Sequence, residues 1–307
     1  MKPALVILAL GVPVLLAACA AWLYTPDRSR TDLEARYLDA PTDYVEAAGM
    51  RLHVRDDGPR DAPAIVMMHG FGSSLHTWEP WAQALAGAHR VVRFDLPGFG
   101  LTGPDPTGDY GDARSLEVLA GLMDRLGVAR ASLIGNSIGG RIAWKFAALN
   151  PARVDRLVLV SPDGFASRGS AYGQAPAVPA SIRLMRFVLP TALVRMSLAP
   201  AYGDPTLITP ALVARYRDLM LAPGVRDAMI ARMEQAVVER PEPLLGRIEA
   251  PTLLVWGEKD ALIPISNAAD YASQIGGSRV VALPGLGHVP QEEAPEVSLA
   301  PVREFLE

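Results

Sequence analysis

Ile134-Gly135-Asn136-Ser137-Ile138-Gly139-Gly140 follows the apolar run Ala131-Ser132-Leu133 and precedes a helix-like run, Arg141 to Leu149. A single small hydroxyl therefore sits among glycines where a strand turns into a helix. A serine hydroxyl is a poor nucleophile at neutral pH unless a base takes its proton and its oxygen stands clear of the backbone. A sharp strand-to-helix turn achieves the second condition, and it needs glycines because side chains two residues to either side would collide. Gly135 and Gly139 occupy those positions. The competing role for Ser137 is that of a helix N-cap in a Gly-Ser turn.

Working outward, strand-like and helix-like segments alternate. The stretch from Asp43 to Gly58 reads as a hairpin turning at Ala48-Gly49, and "AIVMMHG", "RVVRFDLPG", "RASLIGN" and "RVDRLVLVSP" read as strands separated by helices. Continuous apolar strands joined by helices predict an α/β domain with a mostly parallel sheet covered on both faces. From about 164 to 247 the strand signal stops. That stretch is rich in Leu, Met, Ala and Pro and is expected to be an inserted helical cap. Alternation resumes with "APTLLVWGEKD" and "SRVVALPGLGH". The expected organisation is an N-terminal segment over 1–30, a polar linker over 31–43, and a domain over 44–307 carrying the insertion.

Partners for Ser137 stand at the ends of other predicted strands. His288 follows "RVVALPGLG", which places it at the carboxyl end of the last strand as the candidate base. His53 lies within a strand, His89 near the start of one, and His76 early in a helix. An acid must hold the imidazole in the right tautomer; Asp260 closes "LLVWGEKD", and Asp163, after "RLVLVSP", is its rival. His69-Gly70-Phe71-Gly72 resembles a loop that gives one backbone N–H to an oxyanion hole, here that of Phe71. The second N–H would come from Ile138, at the positive end of its helix. His69 is expected to orient the loop and Asp95 to pin its own turn. Gly98-Phe99-Gly100-Leu101-Thr102-Gly103 spells a dinucleotide fingerprint, but the "PDPTGDYG" that follows cannot open the required helix, so no nucleotide cofactor is expected.

The order Ser137, Asp260, His288 is the chain order of an α/β-hydrolase. With "HGFG", "DLPGFG", "GNSIGG", "WGEKD" and "GLGH" in one order, the chain from about Asp43 onward resembles that fold family. Its motifs are similar to esterases and lipases with helical caps, and to hydrolases that cleave carbon–carbon bonds in aromatic ring-fission products. The resemblance implies a serine hydrolase acting on carboxylic esters through an acyl-enzyme, with no cofactor. Met185, Phe187, Leu189, Met196 and Leu198 in the insertion suggest a small-molecule ester with an apolar group. The alternatives are carbon–carbon hydrolysis or perhydrolysis at the same triad, and a binding protein on an inactive hydrolase fold.

Half of the 307 residues are hydrophobic and the formal charge is only −4, enough for a large core and without the basic stripe that tracks nucleic acid. The one cysteine, Cys19, leaves no disulfide or thiolate chemistry to the folded part, and five scattered histidines without a His-Glu-x-x-His motif predict no metal site. From Pro3 to Tyr24 no side chain is charged, close to the ~20 apolar residues that span a bilayer. Leu16-Ala17-Ala18-Cys19 resembles a lipobox; "AAWLY" beyond it suits an uncleaved signal anchor. Either reading expects a protein tethered to the cell membrane with its catalytic domain outside the cytoplasm. Export would argue against the carbon–carbon reaction, because ring-fission products arise inside the cell.

Overall fold

Strands that are apolar along their whole length belong in the middle of a sheet. The computed structural model, which describes residues 23–166 and 171–307, contains an eight-stranded sheet. Its strands are β1 (Tyr44–Ala47), β2 (Met50–Asp57), β3 (Ala64–Met68), β4 (Arg90–Phe94), β5 (Ala131–Asn136), β6 (Val154–Val160), β7 (Thr252–Gly257) and β8 (Arg279–Leu283). The spatial order is β1-β2-β4-β3-β5-β6-β7-β8. The β1–β2 and β2–β4 pairs are antiparallel and all later neighbours are parallel. Every residue of β4, β5 and β7 is buried. The β1–β2 hairpin turns at Ala48 and Gly49, both in the left-handed region at φ 50° and 74°, as a two-residue turn that matches strand twist requires.

Around the sheet run α1 (Arg30–Tyr37), α2 (Glu79–Leu85), α3 (Asp112–Arg125) and α4 (Ile138–Leu149). Between β6 and β7 come α5 (Ala180–Arg183), α6 (Thr191–Leu198), α7 (Pro210–Met220), α8 (Val225–Gln235) and α9 (Glu242–Leu245), and no strand occurs there among the described residues. After β7 follow α10 (Ser266–Gln274), α11 (Pro290–Glu293) and α12 (Pro295–Leu306). One face of the sheet packs Val66, Met68, Leu133 and Leu254 with Trp144, Trp256 and Tyr271. The other packs Ile65, Met67, Ile134 and Val255 with Trp78, Trp81, Leu299 and Val302.

Three sequence expectations need correction. The stretch 31–43 is largely the helix α1, opened by Ser29 Oγ accepting the Asp32 N–H at 3.1 Å. It is fastened to the buried Asp218 of α7 by Arg36 at 2.5 Å and the Tyr37 hydroxyl at 3.0 Å; a polar composition hid this attachment because its partner is 181 residues away. The second concerns the apolar side chains assigned to a substrate. Phe187 and Met196 are 54% and 67% exposed, while Leu189 and Leu198 pack with Val213 and Tyr216 inside the insertion itself. The third is location: no helix among the described residues is long and apolar enough to cross a membrane. The membrane-anchored location is therefore withdrawn; residues 1–22, with Cys19, lie outside the described residues.

Candidate active site

Parallel pairing brings the carboxyl ends of β3, β5, β7 and β8 to one edge of the sheet. In open α/β sheets that edge is where ligands bind. At the end of β5 the chain enters α4 through Ser137, which adopts φ 55° and ψ −119°, a conformation unfavourable for any residue with a Cβ. Its amide donates to the Val160 carbonyl at 3.1 Å, and its carbonyl accepts from Asp163 and Arg141, each at 3.0 Å. The glycine requirement is steric. A Cβ on Gly135 would lie 2.3 Å from the Gly139 carbonyl oxygen, and one on Gly139 would lie 2.3 Å from that of Met68.

Asp260 and His288 meet across the loops after β7 and β8. His288 Nδ1 lies 2.8 Å from Asp260 Oδ2, and Asp260 Oδ1 accepts the Leu262 and Ile263 amides at 2.9 Å each. An ionised carboxylate can only accept, so Nδ1 carries a proton, and in the neutral ring that tautomer leaves the lone pair on Nε2. Both side chains are buried. Gly257 permits the approach, since a Cβ there would lie 2.1 Å from the Gly287 carbonyl oxygen. The rival acid is occupied elsewhere: Asp163 Oδ2 pairs with Arg141 at 3.1 Å.

Asn136, to which the sequence assigned no role, ties these parts together. Its side-chain amide donates to the Val160 carbonyl at 3.1 Å and to the His288 carbonyl at 3.0 Å. The residue before the serine thus holds the histidine loop. The only sequence signal was its place in the strained turn.

The loop after β3 packs onto the same turn. A Cβ on Gly70 would lie 2.9 Å from Asn136 Oδ1 and 3.3 Å from the Ser137 Cβ. His69 Nε2 accepts the Leu96 amide at 2.9 Å, leaving Nδ1 to donate to the Gly70 carbonyl at 2.7 Å. Burial lowers its pKa to about 4, so the ring is a neutral brace. The Phe71 and Ile138 amides donate to no backbone carbonyl among the described residues.

The glycine-rich stretch after β4 wraps Asp95. Its carboxylate accepts the Leu75 and Leu101 amides at 2.7 and 2.8 Å and meets His53 Nδ1 at 2.8 Å. Burial alone would raise the Asp95 pKa, but His53 and its neighbours hold it below the usual range. Gly100 allows this wrap, because a Cβ there would lie 2.1 Å from Asp95 Oδ2. His76 is held neutral by burial, with a pKa lowered to about 3. Among the described residues no cluster of His, Cys, Asp and Glu side chains is arranged to hold a metal ion.

Residues 63–295 match the family model for the alpha/beta hydrolase fold. The chain belongs to the α/β-hydrolase family. It is a hydrolase. It is 32% identical over 260 residues to the dihydrolipoyllysine-residue acetyltransferase component of an acetoin cleaving system from Pseudomonas putida; the match covers 82% of this chain but only 65% of that protein. It is 28% identical to 2-hydroxy-6-oxononadienedioate/2-hydroxy-6-oxononatrienedioate hydrolase 2 of the same species, covering 84% of this chain and 92% of the relative. Among solved structures, a membrane phospholipase A described as a bacterial virulence factor superposes with a TM-score of 0.73 at 27% identity, covering 97% of each chain.

Proposed function

We propose that this hydrolase is a serine enzyme that cleaves small-molecule carboxylic esters through an acyl-enzyme. Ser137 Oγ attacks the acyl carbon while His288 Nε2 takes its proton; Asp260 fixes the imidazole tautomer and stabilises the imidazolium. The Phe71 and Ile138 amides receive the developing oxyanion. His288 then protonates the leaving alcohol, and water repeats the two steps to release the acid and restore Ser137. The observation that carries this reading is the strained Ser137 turn joined through Asn136 to a buried His288–Asp260 pair. The helices between β6 and β7 are proposed to cap this site.

A second reading, carbon–carbon hydrolysis at the same triad, is supported by the likeness to a relative named as a hydrolase of 2-hydroxy-6-oxononadienedioate. Export no longer weighs against it. Purified protein should be assayed on p-nitrophenyl esters of graded chain length and on a 2-hydroxy-6-oxo-dienoate, with Ser137→Ala as the control. Ester turnover abolished in the variant supports the first reading. Turnover of the dienoate alone would replace it, and failure of a fluorophosphonate to label Ser137 would overturn both.

A further inference from the structure

Two adjacent glutamates on α11, four and five residues after His288, bind the helical insertion to both catalytic loops. Glu293 accepts the Gly287 amide of the histidine loop and the Gly203 amide of the insertion, each at 2.7 Å. Glu292, its side chain only 6% exposed, accepts the Tyr202 hydroxyl at 2.5 Å, Arg215 Nη2 at 2.6 Å and the Tyr216 hydroxyl at 3.3 Å. Tyr216 Oη also lies 3.2 Å from Ser73 Oγ. A carboxylate cannot donate, so Tyr216 gives its one proton to Glu292 and Ser73 donates to Tyr216. Ser73 closes the turn that contains Phe71, its amide donating to the Gly70 carbonyl at 3.3 Å.

We propose that Glu292 and Tyr216 are positioning residues for the oxyanion hole: the carboxylate orients the tyrosine hydroxyl, which holds Ser73 and with it the Phe71 amide. The inference rests on reading Ser137 as the nucleophile. Oxyanion donors act through fixed placement, and a displacement of a few tenths of an ångström weakens them without removing them. Tyr202 donates to Oε2 and Arg215 to Oε1, which fixes the carboxylate with Oε1 toward Tyr216. The chain of contacts spans α11, α7 and the loop after β3, and only the folded insertion completes it.

The test is a double-mutant cycle on the full chain. Tyr216→Phe and Ser73→Ala should each lower kcat on a short p-nitrophenyl ester about tenfold, with KM within about twofold, because a misplaced donor acts in the transition state. The double variant should fall no further than either single one. Fluorophosphonate labelling of Ser137 should slow in parallel. A merely structural tie would lower the melting temperature and leave kcat of the folded enzyme unchanged. Tyr216→Phe at wild-type kcat, or single effects that multiply in the double variant, would overturn the proposal. Glu292→Gln gives the same readout at the other end of the contact; should it fail to fold, the Tyr216 and Ser73 arms decide. Wild-type protein that resists labelling would refute the nucleophile assignment itself, a result separate from wild-type-like variants.

Discussion

Asn136→Ala probes whether the histidine loop is held from the serine turn. The substitution deletes two buried hydrogen bonds, to the carbonyls of Val160 and His288. Val160 keeps a partner, because the Ser137 amide also donates to it, so this loss costs about 1 kcal/mol. The His288 carbonyl is left buried without its donor, a cost of about 1–3 kcal/mol. The sum is about 2–4 kcal/mol, read by urea unfolding, and a melting temperature lower by about 3–6 °C for a chain of this size. Activity should fall further than stability suggests. A histidine loop that shifts by an ångström can cost about a hundredfold in rate, measured as the second-order constant for fluorophosphonate labelling under conditions where the variant is folded. Asn136→Asp keeps the shape but replaces the donor with an acceptor facing two carbonyls, and should be at least as damaging. Asn136→Ala with wild-type labelling and less than about 1 kcal/mol of destabilisation would refute the tie.

Other perturbations have equally definite outcomes. Ser137→Gly should abolish labelling yet raise unfolding free energy by about 1 kcal/mol relative to Ser137→Ala, since strain of about 1–3 kcal/mol is relieved and glycine's extra unfolded-state entropy returns part of it; a less stable glycine variant would contradict the strain. Gly139→Ala should cost more than about 3 kcal/mol, because its Cβ would meet the Met68 and His69 carbonyls at 2.3 and 2.6 Å; soluble, fully active protein would show the contact is absent. His69 and His76, lowered by burial to about 4 and about 3, bind protons in the unfolded chain before they do in the folded one. Stability should therefore be full above pH ~6.5 and fall as pH drops below it, by about 1.4 kcal/mol per pH unit for each ring. Urea titrations between pH 6.5 and 5 read this slope, and an unchanged slope in His69→Gln and His76→Gln would refute it.

The alternation of apolar strands and helices made the sheet legible, because a strand buried on both faces leaves a run of Val, Ile and Leu that composition alone exposes. The turn at Ser137 was legible for a local reason, the glycines that its geometry demands. Asp260 and His288 could be placed because each lies in the loop just after a strand, and parallel pairing sends those strand ends to one edge. What could not be read was any contact whose partner is remote in sequence. Asn136 binds a carbonyl 152 residues away, Tyr37 reaches Asp218, and Glu292 draws on Tyr202 and Arg215. Burial of apolar residues in the insertion was also ambiguous: periodicity says that Leu198 is buried but not against what, and its neighbours prove to be other insertion residues.

Four glycines meet backbone to backbone where the insertion joins the histidine loop. A Cβ on Gly203 would lie 2.3 Å from the Gly285 carbonyl oxygen, one on Gly287 would lie 2.5 Å from the Gly203 amide, and Gly257 abuts Gly287. The His288 amide completes the seam by donating to the Ala201 carbonyl at 2.7 Å. The segment Ala201–Gly203 thus belongs mechanically to the histidine loop, though it lies in the middle of the insertion. For anyone exchanging insertions between members of this family, the unit of transfer is not the helices alone: a graft that replaces Ala201–Gly203 also rewrites the floor under His288, and the seam should stay with the host.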